Sequence, residues 1–183
     1  MFMMSILKKR WLERLARDQR GVSAVEFALL APLMIGLYLG CAEISDGVAA
    51  DRKVSLIAAA VANLTSQVTT ISSSDMTNIL AASSAIVVPY SSTNLKITVS
   101  CLNIDANKTV TTKWTATLNG GVGSTTSVPS ALQVASSQLI LSQVSYAYKP
   151  VVGYTITGTL TLSDHMFMAP RISAPTYNNA ACS

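Results

Sequence analysis

The stretch RGVSAVEFALLAPLMIGLYLGCAEIS, residues 20–45, decides how this chain of 183 residues is organised. Between residues 27 and 42, the only ionisable side chains are those of Tyr38 and Cys41. Taken over Val22–Ser45, the stretch would form a helix of about 36 Å at about 1.5 Å per residue. The hydrocarbon core of a bilayer is about 30 Å thick. The stretch therefore predicts a helix that can span a membrane.

Positive charge is concentrated in front of this apolar run. Residues 1–21 contain six of the 13 Lys and Arg residues and two of the nine acidic residues, a net charge of +4, so the rest of the chain is neutral. The positive-inside rule then predicts a cytoplasmic leader and an exported chain after Ser45. The basic isoelectric point does not indicate nucleic-acid binding, because no basic patch with interleaved aromatic residues follows. A cleaved secretory signal is the alternative, but no Ala-x-Ala site closes the run.

The chain after the span is expected to stay helical. Apolar residues step by three and four at Val54, Ile57, Val61, Leu64 and Val68. This spacing predicts a narrow buried seam, which would pack either on a sheet of the same chain or on another copy in a coiled coil. The run is short for a coiled coil, so we favour packing within the chain.

A second, shorter helix is predicted after a Ser/Thr-rich break at residues 69–74. Ser74 or Asp75 can cap it, and it would run from Met76 to about Ile86. Its buried face is expected to include Ile79, together with Met76, Leu80 and Ser83.

Beyond Pro89, the apolar period changes to two residues, which indicates β-strands. Short turns with no intervening helices predict an antiparallel sheet with one solvated face. In the first strand, the alternation changes phase after Cys101, which suggests a bulge or a strand end. The predicted strands lie near Leu95–Ile104, Trp114–Leu118, Leu139–Tyr148 and Tyr154–Ser163.

The fold class is therefore α+β: a long N-terminal transmembrane helix, continued by an amphipathic helix, packs on a small antiparallel sheet of about four strands. Four segments are expected: a basic leader at 1–21, the span at 22–45, a helical region at 46–88 and an antiparallel β domain at 89–183. Pro32 lies inside the span and should bend it. The bend would serve packing between subunits, or it is one of the prolines that membrane helices commonly tolerate.

The cysteines fit an exported domain. Cys41 lies in the apolar run and is expected to behave as a small apolar residue. Cys101 and Cys182 lie on the exported side, where disulfides persist. A bridge between them would close a loop of about 80 residues and stabilise the fold by about 4 to 5 kcal/mol. The alternative is two free thiols.

The sequence offers little catalytic chemistry. The one histidine, His165, follows Asp164 in a segment that reads as a packed terminus. The chain has no Gly-x-Ser-x-Gly elbow, no Lys-Ser/Thr phosphate loop and no Cys/His spacing typical of a metal site. We therefore predict that the protein is not an enzyme and that it uses no cofactor, metal, nucleic acid or small-molecule substrate. A tethered periplasmic enzyme remains a remote alternative.

The segment RDQRGVSAVEFALLAPL, Arg17–Leu33, resembles the signature of the TadE-like family, the minor pilin-type proteins of bacterial tight-adherence (Flp, type IVc) pilus systems. The chain also resembles longer members of this family in several later segments. These are Ile79-Leu80, Pro89-Tyr90, Ile97 to Asp105, Trp114, Pro129–Leu132, Val144–Pro150 and Pro170-Arg171.

The resemblance implies a pilin-like fold and a processing site. In such proteins a prepilin peptidase cuts after glycine, which corresponds to the Gly21-Val22 bond here. The family's acidic position, five residues into the mature chain, falls on Glu26. Phe27 stands where the major Flp pilins have tyrosine, and this departure, with the large exported domain, favours an initiating, capping or anchoring subunit.

Glu26 also has a physical reading of its own. Cutting after Gly21 would leave the ammonium group of Val22 four residues away, so the two charges could pair on one helix or between neighbours. The alternative is an ordinary first-turn glutamate that favours the helix dipole and reaches toward the interface.

Three functions are compatible with these features. The first is a minor pilin (pseudopilin) or membrane-anchored assembly component of a Tad/Flp pilus, supporting pilus biogenesis and surface adhesion. The second is an uncleaved single-pass inner-membrane scaffold of the same machine, and the third is the tethered enzyme. The first two imply the membrane, other pilins, Tad machinery proteins and the prepilin peptidase as partners. They also imply an inner-membrane location with a cytoplasmic N-terminus and a periplasmic domain, which in the first case can enter the extracellular pilus.

Overall fold

The longest element of the fold is a helix of 47 residues, α1 (Arg20–Ser66). A computed structural model describes residues 20–123, 127–150 and 158–182. The predicted leader up to residue 19 lies outside these residues, as do Tyr154 and Ile156 of the predicted last strand. The other elements are α2 (Ser73–Ser84), β1 (Thr70–Ile71), β2 (Leu95–Ile104), β3 (Val110–Leu118), β4 (Ser137–Tyr148), β5 (Leu160–Met168) and β6 (Thr176–Tyr177). Single 3₁₀ turns occur at Ala85–Val87, Ser92–Asn94 and Ser130–Leu132.

The main sheet has four antiparallel strands in the order β3-β2-β4-β5. The pairing of β2 with β3 shifts between Cys101 and Leu102, at the predicted place, but the residue left without a partner in this pairing is Lys113 on β3. β2 itself runs on without a bulge or an end and stays in register with β4. A long apolar helix and a four-stranded antiparallel sheet make this an α+β fold, as the sequence predicts.

The second half of α1 packs on β4 and β5 and supplies one side of the main core. Its buried residues are Ala50, Val54, Ile57, Ala58, Val61 and Ala62, each at most 1% exposed. The prediction that the seam packs within the chain is therefore confirmed. The sheet side of this core includes Ile97, Val99, Ile140, Val144 and Tyr146.

The prediction is wrong at the C-terminal end of the seam, because Leu64 and Val68 are each 37% exposed. A regular helix turns once every 3.6 residues, so a strict 3.5-residue spacing drifts away from the buried side. By the last turn of α1, the buried positions are Thr65 and Ser66, and Val68 lies beyond the end of the helix.

The cap of α2 is Ser72, two residues before the predicted position. The Asp75 backbone N–H donates to Ser72 Oγ over 3.2 Å, and the Ser72 N–H donates to Asp75 Oδ2 over 3.1 Å. This reciprocal pair is a capping box. Met76, Leu80 and Ser83 are buried as predicted, whereas Ile79 is only half-buried.

The last strand ends at Met168, later than predicted, and Gly158 and Thr159 lie outside it. β5 continues through His165 to Met168, which pairs with Ile140, so the segment that reads as a packed terminus is part of the sheet. Backbone pairing with the long strand β4 extends β5 past the point where Asp164 interrupts the apolar alternation. The two-residue parallel pair β1–β6 was not predicted, because strands this short have no readable period.

The solvated face of the sheet is covered at one end. β2 stays in register with β4 along its whole length, so Leu102 and Ile104 lie on the face opposite Cys101 by ordinary alternation. There they form a second, smaller cluster with Val128, Leu139 and Leu141. The rest of this face carries hydroxyl side chains, including Ser100 and Thr115, whose oxygens lie 3.1 Å apart.

Candidate membrane and assembly helix

The first half of α1 exposes nearly every large apolar side chain that it carries. Ten of them are 52–75% exposed: Val22, Val25, Phe27, Leu29, Leu30, Leu33, Met34, Ile35, Leu37 and Tyr38. Among the described residues, α1 is the one helix long and apolar enough to cross a membrane, with a mean hydropathy of 1.9 in its most apolar window. None of that window is buried in the protein. Such a surface is suited to a bilayer or to neighbouring helices, not to water.

The predicted processing and assembly residues lie on the first two turns of this exposed half. Gly21, Val22, Glu26 and Phe27 are all exposed, and a Cβ added at Gly21 would meet nothing within 4 Å. Val22 and Glu26 are one helical turn apart and therefore face the same side. Pro32 lies within α1 without ending it.

A group of tyrosines packs against α1 where it reaches the domain. The Tyr90 hydroxyl donates to the backbone oxygen of Asp46 over 3.1 Å. The Tyr90 ring meets the Tyr148 ring edge-on, with centroids 5.9 Å apart, and lies 6.3 Å from the Tyr146 ring. The helix leaves room for this packing at Gly47, where an added Cβ would lie 3.9 Å from Tyr148 Cε1.

Burial raises the pKa of Tyr148 above its ordinary value, and the negative charge of Asp46 raises it further. The pKa of Tyr90 is raised for the same two reasons. Both phenols therefore stay neutral at physiological pH and remain able to donate hydrogen bonds.

Lys53 attaches the segment after α2 to the same region of α1. Its Nζ donates to the backbone oxygens of Ile86, over 3.1 Å, and Val88, over 2.6 Å. Together with the Tyr90 hydroxyl, this holds residues 86–90 beside the helix. We call Ile44, Val48 and Val88–Tyr90 the collar. Sequence analysis missed the collar, and the only available signal was the recurrence of tyrosines at positions 90, 146 and 148.

The far end of the chain is fixed by a disulfide and an indole. Cys101 on β2 and Cys182 are bonded to each other, and both are buried. Trp114 Nε1 donates to the backbone oxygen of Pro175 over 3.0 Å, and the Tyr177 ring lies 5.5 Å from the indole. Cys41 is a free, exposed thiol within the apolar half of α1.

The arrangement around His165 does not resemble a catalytic dyad. The His165 backbone N–H donates to Asp164 Oδ1 over 2.7 Å, so this carboxylate binds the backbone. The imidazole packs edge-on against the Phe167 ring, 5.6 Å away. Ser163 and His165 line an open depression with Val122 and Gln143. Among residues 20–123, 127–150 and 158–182, no group of three or more His, Cys, Asp or Glu side chains could hold a metal ion.

Comparison with known proteins gives one result. The family model described as TadE-like protein matches residues 21–63, which cover the apolar half of α1 and most of its docked half. No curated protein and no solved structure matches the chain. The strands lie outside the match, so the similarity suggested for the later segments is not part of it. The helical segment 21–63 is therefore similar to the corresponding segment of TadE-like proteins.

Proposed function

We propose that this protein is a minor pilin, or a membrane-anchored assembly component, of a Tad/Flp type IVc pilus, and that it supports pilus biogenesis and surface adhesion. The match of residues 21–63 to the TadE-like family model suggests a Tad pilus-associated protein. The observation that carries the proposal is the division of α1 into an exposed apolar half and a half docked on the sheet. A subunit of this form can be held by a bilayer or by neighbouring helices while its domain stays in water.

The direction of insertion is part of the proposal. Six of the 13 basic residues precede Val22, which supports a cytoplasmic N-terminus in the inner membrane and a periplasmic β domain. The disulfide between Cys101 and Cys182 supports the same direction, because disulfides persist in the periplasm and are rare in the cytosol.

We place the peptidase cut between Gly21 and Val22. Glycine is the weakest helix former after proline, by about 1 kcal/mol relative to alanine, so the first turn of α1 unwinds most easily there. Cutting would give Val22 a free ammonium group beside the Glu26 carboxylate. Inside a bilayer this positive charge would offset the free-energy cost of the Glu26 carboxylate in an apolar helix. Between two subunits, pairing of the ammonium group with the carboxylate would fix how far the two helices are shifted along each other.

The length of the mature chain tests this proposal. Immunoblots of cells with and without the prepilin peptidase should differ by the loss of 21 of the 183 residues. Gly21→Ala should block the cut, whereas Gly123→Ala, which also adds a methyl group in open space, should not. An uncut chain in cells that still assemble pili would favour the alternative, an uncleaved inner-membrane scaffold.

The role of Glu26 is tested separately. Glu26→Gln should insert normally but reduce pilus assembly, because an amide cannot neutralise an ammonium group. Asp51→Asn is the matched control, since Asp51 is an exposed acid on the docked half of the same helix. If the two variants assemble pili equally well, the proposed pairing of Glu26 is wrong, and Glu26 is an ordinary first-turn acid.

A further inference from the structure

The collar lies where α1 passes from its exposed apolar half to its docked half. Tyr90 is attached at Asp46, and Val88 at Lys53, which is seven residues further along the helix. At about 1.5 Å per residue these two positions are about 10 Å apart. Residues 86–90 therefore run back along α1 toward its apolar half.

The collar presents apolar side chains that the protein leaves uncovered. Val88 is 64% exposed even though its backbone is fixed to Lys53, and Pro89 beside it is also exposed. On α1 itself, Ile44 is 55% and Val48 is 47% exposed. On the side of α1 that carries Ile44 and Val48, this surface continues the exposed apolar half of the helix into the domain. On the side where Tyr90 is attached, the exposed Asp46 lies between them.

The level of the collar matches the interfacial layer of a bilayer. A membrane is about 40 to 45 Å thick with its headgroups and about 30 Å without them, so each headgroup layer is about 5 to 8 Å deep. Val48 lies three residues beyond Ser45, about 4.5 Å along the helix axis. Tyrosines are enriched at this depth, because the ring is apolar and the hydroxyl is polar, and Tyr90 is the partly exposed tyrosine of the collar.

We propose that the collar is seated in the phospholipid headgroup layer on the exported side, so that the β domain rests on the membrane surface before the subunit is incorporated into a pilus. This inference rests on the proposed insertion of α1. The bilayer is the expected occupant because Ile44 and Val48 of the collar continue the apolar surface of the proposed span on the same side of α1. This contact with the headgroup layer fixes the tilt of the β domain. It also orients the sheet toward machinery proteins that lie in the same membrane.

Site-specific fluorescence in vesicles tests the proposal. In full-length protein with Cys41→Ser, a single cysteine at Val88, Val134 or Leu33 is labelled with a nitrobenzoxadiazole dye. Cys101 and Cys182 are bonded and do not react. Val134 is the matched control, because it is 62% exposed and lies beside Ser137, at the end of β4 farthest from the collar. Leu33 reports insertion of α1.

The vesicles contain phosphatidylethanolamine and phosphatidylglycerol with a nitroxide on a fraction of the headgroups. We expect the label at Val88 to be quenched by the nitroxide several-fold more than the label at Val134, and less by aqueous iodide. Val48→Cys, a second exposed collar position, should behave like Val88→Cys and guards against a local effect of one substitution.

The other outcomes are distinct. If the label at Leu33 is in lipid but the label at Val88 is as exposed to water as that at Val134, the headgroup contact of the collar is refuted while the proposed function stands. If Leu33 is aqueous, both are refuted. If protection at Val88 disappears when the protein is diluted with excess lipid, the collar contacts a second copy of the chain, and the lipid assignment is wrong.

Discussion

Replacing Ile57 by alanine tests whether the β domain depends on the docked half of α1. Ile57 is fully buried in the main core, between α1 and the sheet. The change removes three carbon atoms, which at about 0.8 kcal/mol per buried methylene group amounts to about 2.4 kcal/mol of lost transfer free energy. The remaining cavity adds to this, so we expect the free energy of unfolding to fall by about 3 kcal/mol.

The neighbouring Leu56 provides the control, because it is 59% exposed on the same turn of the helix. Leu56→Ala should change the free energy of unfolding by no more than about 0.5 kcal/mol. Urea unfolding of the full chain in detergent micelles can be followed by the fluorescence of Trp114, which is 6% exposed. Trp11→Phe in every variant removes the second indole. Equal midpoints for the two alanine variants, at an unchanged urea dependence, would refute the docking of α1 as a source of stability.

Three further predictions concern the domain. Replacing Cys101 and Cys182 by serine opens a loop of 81 residues, which should lower the free energy of unfolding by about 4.5 kcal/mol; an unchanged urea midpoint would contradict this. Gly121 has a φ of +70°, and an added Cβ would lie 2.7 Å from the Thr117 Cγ2, so Gly121→Ala should lower the melting temperature by several degrees, whereas Gly123→Ala should not. The hydrogen bonds from the N-cap serine lower the pKa of Asp75, so their contribution to stability is present above the unfolded pKa, near pH 4, and is lost as the pH falls through the folded pKa. Replacing that serine by alanine removes its hydroxyl but keeps its backbone N–H, so it should reduce this part of the pH dependence of melting.

The features that could be predicted from the sequence depend on neighbours in the chain. The span was visible because its apolar residues are contiguous, and the irregularity beside Cys101 because the apolar positions change phase within a single strand. The buried seam of α1 was predicted from its large residues, which gave Val54, Ile57 and Val61 correctly. It missed Ala50, Ala58 and Ala62, because alanine is equally common on exposed and buried faces of a helix.

The features that sequence analysis missed depend on pairing between distant segments. The extent of β5 is set by β4, whose hydrogen bonds carry the strand through Asp164 to Met168. The collar brings Tyr90 to Tyr148 because residues 86–90 run back along α1 and β4 ends at the same level. Neither the length of β5 nor the contact of Tyr90 with Tyr148 can be predicted from a repeat of apolar residues within one segment. The processing segment stays a prediction, and it could be proposed from the sequence because the glycine, the acid and the apolar run are consecutive.

The continuity of α1 links the membrane and the domain mechanically. A single helix of 47 residues is about 70 Å long, and its two halves share one axis direction except for any bend at Pro32. The docked half is part of the domain core, so the domain cannot rotate about the span without breaking contacts at Val54, Ile57 and Val61. A force applied to the β domain is therefore transmitted to the exposed apolar half of α1, against which neighbouring pilin helices would pack. An initiating or anchoring subunit needs this rigidity, whereas a domain tethered by a flexible linker would lose it.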